Sequence, residues 1–228
     1  MSTLTSSHAA ADESNIDSSL QTLADLVHRL GDIPLERIRM HPAPGTAQEH
    51  DLTSLRQCEL IDGVVVEKAM SFFEARLATV LAFFIELYLR TNRLGYVVGA
   101  DAQIRMAPGR VRIPDVSFLS WARTADGRVP MDPIGPTAPD LAVEILSSGN
   151  TKREMTEKRQ DLFDAGTRIV WIVDPKKQTV AVYRNVDEFQ LVEANGFVDG
   201  EDVLPGFKLS LSEWFETASG KRFGPEEE

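Results

Sequence analysis

Cysteine is almost absent from the 228-residue chain: Cys58 stands alone, which excludes an intramolecular disulfide and any cysteine-based metal cluster. Its neighbours Leu55, Leu60 and Ile61 mark it as a small hydrophobe near a core. Histidine is nearly as scarce. His8, His28, His41 and His50 all precede the segment expected to fold, which disfavours a His/Cys zinc site and a Ser-His-Asp triad. No apolar run approaches the ~18 residues of a membrane helix. The longest, at 81–89, is broken by Glu86. Basic residues are outnumbered, 24 against 35 acidic, for a net charge of −11. That balance argues against a sequence-blind nucleic-acid coat but leaves room for a local basic groove. Neither a Walker loop nor a dinucleotide glycine fingerprint occurs; Ser147-Ser148-Gly149-Asn150 is a short turn without the required spacing. Residues 1–14 lack a basic stretch followed by an apolar one and read as a disordered leader, with a reducing cytoplasm the expected compartment.

What remains is patterned. Apolar residues at helical spacing predict a helix over 16–30, stopped by Gly31, then a Pro-containing linker over 34–45 and a second short helix within 47–58. Residues 15–57 form an N-terminal helical extension, 58–218 the main domain and 219–228 an acidic tail. Two β-prone stretches around Asp62-Gly63 predict a hairpin over 59–67, and 71–90 is the longest helix. Strands are predicted at 96–100, 102–106, 110–120 and 141–146, with a Pro/Gly-rich loop between the last two. A helix over 151–165, capped by Gly166, leads to strands at 168–173, 179–184 and 189–193, and a closing amphipathic segment over 211–215. The order predicts an α/β fold, a mixed β-sheet flanked by helices.

Within that pattern two acids stand out. Asp115 and Glu144 each sit in an apolar, β-branched run, where an ionised carboxylate is costly without a partner. Neighbouring strands lie roughly 4.8 Å apart, so the two can converge on one divalent cation. The competing reading is an ion pair with Arg105, Arg110 or Arg112, and both stand at this point. Asp140 shares the strand face of Glu144 but lies ~13 Å away along it, four residues at roughly 3.3 Å each, and reads as a strand-entry residue. Lys158 falls beside the apolar stripe of Met155, Leu162 and Phe163. It is either a cation for a phosphodiester site or a snorkelling side chain. Glu74 completes a capping-box pattern with Ser71 and is also placed to face a metal from the first turn of a buried helix. An acid-rich, histidine-poor site points to a hard cation, Mg²⁺ or Mn²⁺.

Four segments in order carry a resemblance: Cys58-Glu59-Leu60-Ile61-Asp62-Gly63, Arg112-Ile113-Pro114-Asp115-Val116-Ser117-Phe118, Pro139-Asp140-Leu141-Ala142-Val143-Glu144-Ile145-Leu146-Ser147 and Gly166-Thr167-Arg168-Ile169-Val170-Trp171-Ile172-Val173-Asp174-Pro175. Together they resemble the "putative restriction endonuclease" family of the PD-(D/E)XK nuclease superfamily, over about residues 50–195. The resemblance implies a restriction-endonuclease-like core and a Mg²⁺- or Mn²⁺-dependent endonuclease acting on DNA. Asp115 matches the PD aspartate and Glu144 the acid of the second motif. Leu146 stands where the motif lysine would be, and Lys158 matches a lysine displaced to the following helix. The Ile145 carbonyl is implied as a further metal ligand, and Glu74 lies where many members carry a first-helix acid. Arg105, Arg110, Arg112, Lys152 and Arg153 are candidates for phosphate contact, with a solvated face as the alternative, and a homodimer would supply two sites for two strands. Two other functions stay open: a nuclease-fold binding or regulatory module without strong catalysis, and a hydrolase of small phosphoesters.

Overall fold

The computed structural model describes residues 22–220. The leader, residues 16–21 of the first predicted helix and residues 221–228 of the tail lie outside them. Helix α1 (Leu23–Arg29) starts where the Thr22 hydroxyl accepts the Asp25 N–H. Gly31 then turns at φ +88°, and a Cβ there would meet the Glu154 backbone at 2.6 Å, so the chain passes tightly over a later helix. After α2 (Glu49–Leu52) come strands β1 (Cys58–Ile61) and β2 (Val64–Glu67), which form the predicted hairpin around Asp62 and Gly63. Helix α3 (Phe72–Leu89) follows, then β3 (Gly95–Val98), β4 (Ile104–Ala107), β5 (Arg110–Arg112), β6 (Val116–Ser120) and β7 (Leu141–Ile145). Helix α4 (Lys152–Asp164), strands β8 (Ile169–Asp174), β9 (Thr179–Tyr183), β10 (Phe189–Val192), β11 (Phe197–Asp199) and β12 (Lys208–Ser210), and helix α5 (Leu211–Ser219) complete the described residues.

Among the described residues three sheets result: four strands ordered β2-β1-β5-β4, six ordered β10-β9-β8-β7-β6-β3, and a β11-β12 ribbon. The six-stranded sheet is mixed, with β7 and β8 parallel and its other neighbours antiparallel. Alternation along β7 sends Leu141, Val143 and Ile145 into the larger core with α3 and α5, and Ala142 into a second core with Met155 and Leu162 of α4. Glu144, of the same parity as Ala142, is therefore directed to the α4 side. Leu77, Leu81 and Ile85 of α3 are fully buried, each contributing ~1.5–3 kcal/mol of apolar burial.

Two expectations change. The predicted strand over 110–120 is two strands in two different sheets. Pro114 has no N–H to give to a ladder, and the chain crosses between the sheets over Ile113-Pro114-Asp115. The predicted segment at 211–215 extends to a nine-residue helix, and the β11–β12 ribbon before it lacks a sequence signal because each strand spans only three residues. Residues 26–38 pack Leu26, Leu30, Ile33 and Ile38 on Ile61, Val64 and Val66 of the hairpin. Among the described residues no helix is long and apolar enough to cross a membrane.

Candidate active site

The crossing between sheets creates the site. The Asp115 N–H donates to the Val143 carbonyl at 2.9 Å, extending the β6–β7 ladder by one residue and setting Asp115 beside Glu144. One oxygen of Asp115, Oδ2, accepts the Ile145 N–H at 2.6 Å. Both acids are buried, at 3% and 4% exposure. The arginines proposed as their partners are engaged elsewhere: Arg105 with Glu49, Arg110 with Asp62 and Asp161, and Arg112 with Glu59 and Asp161. Lysines take their place. Lys158 Nζ donates to Glu144 Oε2 at 2.9 Å, and Lys68 Nζ lies 2.7 Å from Asp115 Oδ1. The structure thus brings Asp115, Glu144 and Lys158 into one buried cluster, and Lys158 lies inward on α4 instead of snorkelling.

Two members of the cluster, Glu59 and Lys68, were not among the site candidates of the sequence. Glu59, 1% exposed on β1, holds Lys158 at 3.1 Å and Arg112 at 2.9 Å, and also accepts the Ile113 N–H at 3.1 Å. It meets the criterion that singled out Asp115 and Glu144, an acid inside an apolar strand, so a signal existed. Lys68, one residue past β2, had none.

The electrostatics follow from these contacts. Burial pushes the Glu144 carboxyl up to about 7, the charge of Asp115 adds to this, and Lys158 and Lys68 oppose it. Burial also acts on Glu59, but the Lys158 ammonium, the Arg112 guanidinium and the Ile113 N–H outweigh it and hold the carboxyl at about 2. For Lys158 burial works downward, yet Glu144, Glu59 and Glu154 hold its pKa above the ordinary lysine value. At neutral pH Lys158 is an ammonium and a donor, not a general base.

The remaining candidates take other roles. Glu74 Oε2 accepts the Ser71 N–H at 2.8 Å and so closes the helix cap. Asp140 accepts the Ser120 N–H at 2.8 Å and the Arg123 Nε–H at 3.0 Å, a strand-entry arrangement. Lys152 and Arg153 are exposed in the first turn of α4, Arg153 reaching Asp32 at 4.0 Å.

The donor set suits a hard cation. Among the described residues no group of three or more His, Cys, Asp or Glu side chains is placed to hold a metal. Two carboxylates, however, match Mg²⁺, which keeps several of its waters and takes one or two protein carboxylates. Asp115 Oδ1 and Glu144 Oε1 are buried and lack hydrogen bonds, Lys68 approaching the former at short distance but outside hydrogen-bond geometry. Such orphaned oxygens fit an oxygen-seeking ion.

Comparison with known proteins gives a family and a fold. The family model described as "Uma2: Putative restriction endonuclease" matches residues 47–212. The structure is similar to the crystal structure of a putative nuclease belonging to DUF820 from Anabaena variabilis ATCC 29413. The TM-score is 0.62 at 23% identity, over 71% of this chain and 90% of that one. That likeness is one of fold, and the fold is restriction-endonuclease-like. No curated protein sequence matches the chain significantly.

Proposed function

Because the chain belongs to the Uma2 family, described as "Putative restriction endonuclease", we propose that it is a Mg²⁺- or Mn²⁺-dependent endonuclease hydrolysing DNA phosphodiester bonds. One observation carries the reading: two buried carboxylates side by side, each with an oxygen that accepts no hydrogen bond, next to a lysine held as an ammonium. Asp115 Oδ1 and Glu144 Oε1 would hold the ion, with the Ile145 carbonyl as a third protein ligand. When bound, the ion acidifies water and offsets phosphate charge. Lys158 supplies a fixed positive charge, steadied by Glu59, that orients the attacking water and stabilises charge growing on the phosphate. Glu74 serves as the cap that fixes the start of α3. Lys152 and Arg153 are the candidates left for contact with the DNA backbone, and a homodimer would bring two such sites to the two strands.

The test is cleavage of supercoiled plasmid with Mg²⁺ or Mn²⁺ by the full chain and by Glu144→Ala. Nicking that EDTA abolishes and that the substitution removes supports the reading; cleavage unchanged in Glu144→Ala refutes it. A second reading, a nuclease-fold module that binds without cutting, is favoured by the ammonium already placed on each carboxylate and by the net charge of −11. DNA binding without metal-dependent nicking would select it. Faster turnover of a chromogenic diester than of plasmid would point instead to small phosphoesters.

A further inference from the structure

Lys68 occupies the ground that the proposed ion needs. Its side chain is 3% exposed, and its Nζ lies 2.7 Å from Asp115 Oδ1. The other oxygen of Asp115, Oδ2, already accepts the Ile145 N–H at 2.6 Å, which leaves Oδ1 as the oxygen without a hydrogen bond. A divalent ion and an ammonium repel each other strongly when both touch one buried oxygen. Lys68 and the ion therefore compete for Oδ1.

The geometry makes that exchange easier for Lys68 than for Lys158. The Lys68–Asp115 contact is short yet misses hydrogen-bond direction, leaving Oδ1 without a hydrogen bond. Lys68 also has a second acceptor, the Ala100 carbonyl at 3.3 Å. A cleft of about 430 Å³ reaches both Asp115 and Ala100, with Ala75, Ala78 and Thr79 of α3 along one wall. Lys158, by contrast, is held between Glu144 and Glu59.

We propose that Lys68 is a built-in competitor of the metal: it neutralises Asp115 in the metal-free protein and, displaced, turns its ammonium into the cleft toward a phosphate of the substrate. The inference rests on the reading of Asp115 and Glu144 as metal ligands. The experiment is titration of Mn²⁺ into the full-length wild type, Lys68→Met and Lys68→Gln by calorimetry, with Lys68→Arg as the charge-retaining control. Both neutral variants should bind Mn²⁺ at least tenfold more tightly than wild type, and Lys68→Arg should not. Mn²⁺ should also raise the melting temperature of the neutral variants more than that of wild type. A lysine that merely props up the site would give the opposite sign, since its loss would weaken binding. Equal or weaker Mn²⁺ binding by Lys68→Gln, the polar variant that keeps a hydrogen-bonding group, overturns the assignment even if Lys68→Met fails to fold. Absence of Mn²⁺ binding in wild type and in every variant overturns the underlying metal site instead.

Discussion

Glu59 offers the sharpest stability test, because one carboxylate serves three donors, from a strand, from the segment that crosses between the sheets and from a helix. Glu59→Gln keeps the shape but provides one acceptor oxygen where Arg112, Lys158 and the Ile113 N–H now share two. Lys158 retains Glu144 and Arg112 retains Asp161, so neither cation is left entirely unpaired. In the folded protein the Glu59 carboxyl stands at about 2 against an ordinary value of 4.5, worth about 3 kcal/mol at about 1.4 kcal/mol per pH unit. That lies at the lower end of the ~3–5 kcal/mol expected for breaking a buried pair. At about 2–4 °C per kcal/mol for a chain of this size, Glu59→Gln should melt about 6–12 °C below wild type at pH 7. The sign with pH follows from the depressed pKa. The stabilisation is complete above the unfolded value of about 4.5 and is lost as pH falls towards 2. The gap between wild type and variant should thus fall to less than half by about pH 3. Thermal unfolding followed by circular dichroism between pH 7 and 3 is the assay. A gap below about 2 °C at pH 7, or one that stays constant with pH, refutes the reasoning.

Two further outcomes probe the surroundings of the site. Arg37 reaches Glu154 at 2.7 Å and 3.0 Å and donates to the carbonyls of Glu67 and Gly149, so Arg37→Met should cost ~3–5 kcal/mol, and Arg37→Met with Glu154→Leu less than the two singles combined. A double-mutant cycle in urea measures the coupling, and additivity within about 0.5 kcal/mol would contradict it. Asp140→Asn should lower stability by ~1–3 kcal/mol by weakening its bonds to Ser120 and Arg123 while leaving Mn²⁺ affinity unchanged; a loss of affinity would mean that Asp140 belongs to the site after all.

Much of this architecture was legible from periodicity. The hairpin at Asp62-Gly63, the long helix after Ser71 and the parallel pair around α4 lie within a few residues of where pattern and punctuation put them. The two acids were also readable as candidates, since burial of a charge announces itself in an apolar strand; Lys158 was left open between cation and snorkelling until the family resemblance singled it out. Partners were not. Asp115 and Glu144 are neutralised by Lys68 and Lys158, not by the arginines near Asp115 in sequence, because those arginines meet acids brought in by other elements. The chain crossing at Pro114 decides this. It puts Glu59 and Lys68 of the smaller sheet's hairpin against Asp115 and Glu144 of the larger one, a juxtaposition of residues far apart in sequence that no local pattern encodes.

The central claim is that Asp115 and Glu144 share one divalent ion. Crystals of the protein soaked in Mn²⁺ and measured at the manganese absorption edge test it directly. The account predicts an anomalous peak between Asp115 and Glu144, lost in Asp115→Asn. A well-ordered site with both carboxylates still paired to Lys68 and Lys158 and no peak between them would contradict it.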